Sequence, residues 1–488
     1  MDRLRIAFVA AEVAPFSKTG GLGDVASALP RELHRRGHDV RVFTPLHGTI
    51  DLDRYGFVPV SFLRDVPVTL GHLRVCFTAY VGRAPGTDLD VYFIHCPELL
   101  FRRSIYTADA DEHLRFALLT HAVFLCCQRM GWAPQVIHAN DWHTALAPIY
   151  RRTIYAWDQL FAATRTVLTI HNIAYQGVFK SRTLGDLGLA EHQDLLPGDD
   201  LGAGRLRFLA TGIRWADVVS TVSETYAREI QTPAYGAGLD GLLRQRGGSV
   251  IGIVNGVDYG TWDPESDPHL ACRYGIEDAE DGKAQNKREL LQAAGLEATD
   301  GPLFGIVSRL TEQKGLDLLD GPLQAMLTHR RDTRLVVLGS GERRYERFFE
   351  SLARSFPDRV AFNRGYDEPH AHRIEAAADV FLMPSRFEPC GLNQLYSLRY
   401  GTAPLVRRTG GLADTVTPFH REQGEGDGFV FEHFDTTGLS WALEQALDLW
   451  PDRDAWRRLL LNGMHRDFSW QRQATPYENL YSLLAAGA

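Results

Sequence analysis

Several short segments of this chain combine glycines, cations and polar side chains in the way an anionic, hydroxyl-rich ligand requires. Ser17-Lys18-Thr19-Gly20-Gly21-Leu22-Gly23-Asp24 follows an apolar run and opens a helical pattern. Glycines such as Gly21 let a ligand approach the backbone, and a helix N-terminus beside Lys18 favours an anion. Neither GxxxxGK[ST] nor GxGxxG occurs there, so the segment is neither a P-loop nor a dinucleotide fingerprint. A turn that needs glycine for steric reasons alone is the plain alternative. Ser308-Arg309-Leu310-Thr311-Glu312-Gln313-Lys314-Gly315 places two cations five residues apart at the end of an apolar run. Two fixed charges there could neutralise a diphosphate and stabilise it as it departs.

Ser385-Arg386-Phe387-Glu388-Pro389-Cys390-Gly391-Leu392 offers Glu388 as an acceptor for sugar hydroxyls. Pro389 and Gly391 suit a helix start, whose unpaired amides could hold phosphate or hydroxyl groups. Cys390 has no nearby His in sequence and reads as a small residue beside a backbone contact, not as a nucleophile. His138-Ala139-Asn140-Asp141-Trp142-His143 and Thr169-Ile170-His171-Asn172-Ile173-Ala174-Tyr175-Gln176-Gly177 both close apolar runs. Polar, aromatic and His residues at two such ends suit a carbohydrate or nucleotide site. They raise metal binding too, but no HExxH or comparable spacing appears, and no metal is expected. Tyr366, after another run, could stack on a base.

The elements that must position these residues are legible as an alternation. Short Val- and Ile-rich runs (Arg5–Ala11, Val40–Thr44, Val91–His95, Val136–Ala139, Thr166–Ile170, Val218–Val222) recur with helical patterns between them. After residue 250 come Val250–Asn255, Leu303–Ser308, Leu335–Gly339, Val360–Asn363, Val380–Pro384 and Ala403–Arg407. Continuous runs are those of parallel strands covered on both faces, and the alternation is the α/β doubly wound pattern. Helices are predicted over Gly23–Arg36, Asp111–Met130, Asp317–His329, Tyr345–Ser355 and Gly391–Tyr400. Twelve strands are too many for one ordinary open sheet, so two sheets are expected, divided at the connector Arg244–Ser249. The boundary is then placed at residue 247. Thr19–Val25 recurs loosely as Thr409–Val416, which supports two similar halves. Two such domains facing each other would leave a cleft between the carboxyl ends of their strands. The acidic stretch Glu277–Gly282 and the loop Glu422–Gly428 read as solvated surface.

Composition narrows the class. The chain has 488 residues and a net charge of −9, which excludes a general polyanion binder, nucleic acid included. No stretch approaches the ~20 apolar residues of a membrane span. Six cysteines without CxxC spacing point to a reduced, cytoplasmic enzyme. Lysine occurs at only five positions, 18, 180, 283, 287 and 314, and two of these lie in the motifs above.

Taken together and in order, the motifs resemble those of the bacterial glycogen synthases and plant starch synthases. That family is the ADP-glucose-dependent branch of the GT-B glycosyltransferases, and the likeness runs nearly end to end. It is carried by Lys18–Asp24, His138–His143, His171–Gly177, Asn255-Gly256-Val257-Asp258, Ser308–Gly315, Ser385–Leu392 and Arg408–Thr415. The resemblance implies a GT-B fold of two Rossmann-like domains with an interdomain active-site cleft: an acceptor-side domain over 1–247, a donor-side domain over 248–466, and a segment over 467–488 crossing back to the first. It implies transfer of glucose from ADP-glucose to the non-reducing end of an α-1,4-glucan, with retained configuration and without cofactor or metal. Lys18, Arg309 and Lys314 resemble the donor-phosphate cations, and Gly21 a close backbone contact. Glu388, with Cys390, Gly391 and Leu392, resembles the pocket for glucose hydroxyls. Asp141, His171 and Asn255 resemble the groups around the transferred sugar, and Tyr366 the adenine-stacking residue. No carboxylate stands out as nucleophile, so front-face attack is favoured over a covalent intermediate. Asn393 stands where the family often has Thr, and Phe101 where many relatives carry Tyr. A UDP-glucose transferase of the same fold and a non-catalytic glucan-binding relative are the alternatives.

Overall fold

A computed structural model of the chain describes residues 3–487. The chain divides into two compact units, one running to Gly256 and resumed from Trp470, the other spanning Val257–Ser469. The first unit holds strands β1 (Arg5–Val9), β2 (Asp39–Pro45), β3 (Val58–Pro59), β4 (Val66–Leu70), β5 (Leu73–Arg83), β6 (Asp90–His95), β7 (Val136–Asn140), β8 (Arg165–Ile170), β9 (Val178–Lys180), β10 (Arg205–Arg207), β11 (Val218–Thr221) and β12 (Val250–Gly252). Its main sheet has the order β12-β11-β8-β7-β1-β2-β6-β5-β3, with β4 paired to β5 and β9 and β10 forming a separate ribbon. From β12 to β6 every pairing is parallel. Successive side chains of β1 enter opposite cores: Ala7 and Val9 join one, Ile6 and Phe8 the other. A strand covered on both faces has to be apolar at every position, and that is why its run is continuous.

The second unit holds β13 (Leu303–Leu310), β14 (Arg334–Gly341), β15 (Val360–Arg364), β16 (Val380–Met383), β17 (Ala403–Arg407) and β18 (Phe429–Phe431). They form one all-parallel sheet in the order β15-β14-β13-β16-β17-β18. Both main sheets are wound outward from their first strand in sequence. Chain order reverses between β1 and β7 in the first unit and between β13 and β16 in the second. At such a reversal the following loops diverge, leaving a crevice at the strands' carboxyl ends.

Four expectations need correction. The division falls after Gly256, not after residue 247, because β12 pairs with β11 and so belongs to the first sheet. The returning segment starts at Trp470, not 467; its helix Trp470–Ala486 buries Tyr477 and Tyr481 in the first unit's core. The hairpin strands β3, β4 and β5 were not anticipated. They are antiparallel with one face in solvent, so their apolar residues alternate where the continuous runs do not. The acidic stretch Glu277–Gly282 is solvated at Glu277, Asp278, Glu280 and Asp281, as expected, but it is not a separate surface loop. It enters the helix Ala279–Ala293, which buries Gly282, Lys283 and Lys287.

Candidate functional site

In the first unit the candidate residues gather at the reversal between β1 and β7. Glu12, just past β1, is buried, and it holds the glycine turn: it accepts from the Thr19 amide, from Thr19 Oγ1 at 3.1 Å and from Tyr106 OH at 2.9 Å. Burial pushes its carboxyl above the ordinary range despite those donors. Beyond it Lys18 is exposed, with its Nζ 2.7 Å from Asp24 Oδ1. Gly21 is the exposed first residue of the helix Gly21–Arg35. Lys18 and Gly21 are thus presented together, on a turn fixed from behind by Glu12.

Asp141 follows β7 with φ +57° and ψ −176°, a conformation that glycine adopts freely and other residues at a cost of about 1–3 kcal/mol. Neighbouring contacts enforce it. Its Oδ1 accepts from the His171 amide at 2.7 Å and the Asn172 amide at 3.3 Å, which ties the end of β7 to the end of β8. Burial pushes the Asp141 carboxyl up to about 7, the two amides acting against the shift and the nearby Glu12 with it. His171 places Nε2 2.9 Å from Asn140 Oδ1, while the Asn140 amide nitrogen donates to the Val9 carbonyl at 3.0 Å. That fixes the amide orientation, so His171 must donate through Nε2–H and keeps a lone pair on Nδ1. Burial lowers its pKa to about 3, and the ring is neutral near pH 7.

Not every residue of these motifs faces the crevice. His138 is fully buried, with Nε2 2.6 Å from Thr169 Oγ1 and Nδ1 2.6 Å from Tyr481 OH, so it fastens the C-terminal helix. His143 is buried and stacked on Tyr106, ring centroids 4.7 Å apart. Asn255, beyond β12, is buried with Oδ1 lacking a hydrogen-bond partner among the described residues. Phe101 is half-exposed, edge-on to His95.

In the second unit β13 and β16 supply the corresponding ends. Arg309, near the end of β13, is exposed and makes no ion pair among the described residues. Lys314 lies in the next turn, with its Nζ 2.6 Å from Glu388 Oε2. Ser385 Oγ donates to the same oxygen at 2.9 Å. The two loops are joined by the Arg386 amide, which donates to the Gln313 carbonyl at 2.9 Å, and Arg407 at the end of β17 supports the second loop through Nε, 2.9 Å from the Ser385 carbonyl. Gly315 has φ +66°, and a Cβ there would lie 1.9 Å from the Pro384 carbonyl oxygen, so no other residue permits this approach. The Gly411 amide donates to the Glu388 carbonyl at 3.0 Å, which seats the Arg408–Thr415 motif beneath the Glu388 loop.

Cys390 is buried, and Gly391 and Leu392 are partly exposed ahead of the helix Asn393–Arg399, which starts two residues later than expected. Asn393 Nδ2 donates to the Val307 carbonyl at 2.9 Å, so the amide in place of Thr ties this helix to β13. Tyr366 is 64% exposed beyond β15. The structure therefore groups Lys18, Gly21, Asp141 and His171 at one reversal and Arg309, Lys314, Glu388 and the Cys390–Leu392 turn at the other. Glu12, Tyr106 and Asn140 were missed. For Glu12 a signal existed, namely a carboxylate ending a buried run just before the glycine turn. For Tyr106 and Asn140 only the tertiary contacts reveal the role. Among the described residues no group of His, Cys, Asp and Glu could hold a metal ion.

Residues 5–245 match the family model described as the starch synthase catalytic domain, and residues 287–458 that of glycosyl transferases group 1. The chain is 47% identical to a glycogen synthase of Anaeromyxobacter dehalogenans, covering 99% of this chain and all of that one. It is 42% identical to glycogen synthase 1 of Geobacter metallireducens over 99% of this chain and 96% of that one. The catalytic domain of starch synthase IV from Arabidopsis thaliana, solved with ADP and acarbose bound, superimposes with a TM-score of 0.91 at 33% identity, covering 99% of this chain and all of that one. Sucrose-phosphate synthase from Thermosynechococcus elongatus shares the fold, with a TM-score of 0.61 at 20% identity and full coverage of both chains.

Proposed function

The chain belongs to the glycogen and starch synthase family, glucosyltransferases of GT-B fold, and from that premise we propose that it moves glucose from ADP-glucose to the non-reducing end of an α-1,4-glucan with retention. The observation that carries the reading is the Lys314–Glu388 pair at the ends of β13 and β16. An ammonium held there meets the charge that grows on a departing diphosphate, and a neighbouring carboxylate accepts from glucose hydroxyls. Arg309 and Lys18 supply further cationic contacts to the donor phosphates. Gly21 allows a close backbone approach, the turn Cys390–Leu392 offers amides, and Tyr366 offers a face to adenine.

Preorganised cations lower the barrier because they need no reorganisation as the C1–oxygen bond to phosphate breaks. The acceptor hydroxyl then attacks C1 from the same face, and its proton passes to the departing phosphate oxygen. Asp141, when ionised, supports the cationic sugar. His171 Nδ1 is free to accept from a sugar hydroxyl, since Nε2–H is committed to Asn140. Asn255 offers its carbonyl oxygen to a sugar hydroxyl as well. In this reading protein cations take the leaving-group charge, so EDTA is expected to leave turnover unchanged. The site of action is proposed to be the cytoplasm; among the described residues no helix is long and apolar enough to cross a membrane. The test compares ADP release from ADP-glucose with UDP release from UDP-glucose, each with glycogen present. Faster turnover of ADP-glucose supports the reading, and no transfer from it ends the reading.

A further inference from the structure

At the edge of the second unit's sheet, β18 is flanked by the turn 418–421 and by the helix Thr436–Leu449. Between them lies a cavity of about 310 Å³. None of the residues assigned to the donor lines it. Phe429 and Leu449 form an apolar base, while Trp441, Gln445 and Asp448 line the wall at spacings i, i+4 and i+7, which place them on one helix face. His420 and Arg421 face them from the turn. Among the described residues of the second unit, the large apolar side chains left strongly exposed are Tyr366 and Trp441, the latter at 52%. Tyr366 has a place in the reaction; Trp441 has none.

The groove is built, not slack. Arg421 is fixed by Asp452, with Nε 2.8 Å from Oδ2, and the turn is closed by the His420 amide donating to the Glu425 carbonyl at 2.8 Å. Its chemistry is an indole face ringed by an amide, a carboxylate, an imidazole and a guanidinium. A polyanion would meet Asp448, and a wholly apolar partner would strand the polar rim without hydrogen bonds. A pyranose fits both: its C–H face packs on an aromatic ring, and its hydroxyls donate to carboxylate and amide oxygens and accept from N–H groups.

We propose that this groove binds a stretch of α-glucan and so holds the polymer to the enzyme, an inference that rests on the acceptor class assigned above. The experiment measures retardation of the full chain in native gels containing amylopectin, together with transfer to glycogen and to maltotriose. Trp441→Ala is expected to weaken glucan affinity about tenfold, the worth of one buried aromatic face, and to raise KM for glycogen while kcat on maltotriose stays at the parent value. Gln445→Ala should weaken retardation less, and Trp441→Phe should keep most of it. Parent-like retardation and KM for glycogen in Trp441→Ala overturn the proposal. The outcomes separate the two readings. If the parent transfers glucose and Trp441→Ala is retarded normally, the groove assignment fails and the function stands. If the parent releases no ADP yet retardation depends on Trp441, the function fails and the groove stands.

Discussion

The ammonium of Lys314 sits 2.6 Å from Glu388 Oε2, across 74 residues of sequence, and Ser385 Oγ donates to the same oxygen. Two groups proposed to have separate roles on a donor therefore neutralise each other. The pairing keeps a partly buried charge on each side from being stranded, and it aims both side chains at the crevice between β13 and β16.

Removing Lys314 leaves the Glu388 carboxylate without its counter-ion and, in the proposed role, the leaving diphosphate without one of its cations. Lys314→Ala is expected to lower kcat by roughly 10²–10³, the range for losing one preorganised electrostatic contact. Lys314→Arg should recover little, because a planar fork does not fit where a compact ammonium donates to one oxygen. Steady-state ADP release checks both. Unaltered turnover in Lys314→Ala would refute the leaving-group role.

Asp141 gives a pH signature. Its carboxyl is raised to about 7 when folded, against roughly 3.9 in the unfolded chain. As pH rises, the unfolded state loses this proton first, so Asp141 erodes stability between about pH 4 and 7 and adds no further loss above. Asp141→Asn has no such proton, and its Tm advantage over the parent should grow across that window and then level off. Turnover in the parent should climb with pH through about 7 as the carboxylate ionises. His171, held near 3, cannot supply that limb. A Tm difference independent of pH would contradict the assignment.

Glu12 is expected to act through the turn that it holds. Glu12→Ala leaves the Thr19 amide and the Tyr106 hydroxyl without their acceptor, a loss of about 2–4 kcal/mol. KM for ADP-glucose should rise more than kcat falls, since the turn carries Lys18 and Gly21. Glu12→Gln keeps an acceptor but removes a charge that raises the Asp141 pKa, so the acid limb of the rate profile should move to lower pH. A limb unmoved in Glu12→Gln would separate the two carboxylates.

Lys283 is expected to matter for stability alone. Its ammonium donates to the carbonyls of Ala376 at 3.0 Å and Tyr400 at 3.2 Å and to Thr402 Oγ1 at 2.7 Å. It thereby caps the ends of the helices Glu368–Ala377 and Asn393–Arg399. Lys283→Met should cost about 1–3 kcal/mol by leaving buried neutral acceptors without a donor, read as a fall in Tm, while exposed Lys180→Ala should leave Tm unchanged. An equal Tm for Lys283→Met and the parent would dismiss the capping role.

The scarcity of lysine singles out Lys18, Lys283, Lys287 and Lys314 alike and cannot separate them. All four are compact cations near apolar runs. What differs is the surroundings: Lys287 reaches Asp379 at 2.7 Å and the Gly301 carbonyl inside the core, whereas Lys314 reaches the crevice. The fold was legible where a strand buried on both faces is long enough to make a run, as at β1, β7 and β13, but not at β18, whose three buried residues are too short to stand out. It was illegible at β3, β4 and β5, whose solvated face breaks the apolar run. β12 was read as a strand and assigned to the wrong sheet, because only its pairing with β11 decides where it belongs.

By itself the sequence determined most of the segments that become parallel strands and the polar residues that end them, because periodicity and turn chemistry are set by neighbours a few residues apart. Tertiary structure alone decided that Asp141 is clamped by the His171 and Asn172 amides, that His138 faces the C-terminal helix, and that Glu12 stands behind Lys18. Those facts depend on strand order and burial. A charge's partner and its solvation are set by residues far away in the chain, which no local pattern contains.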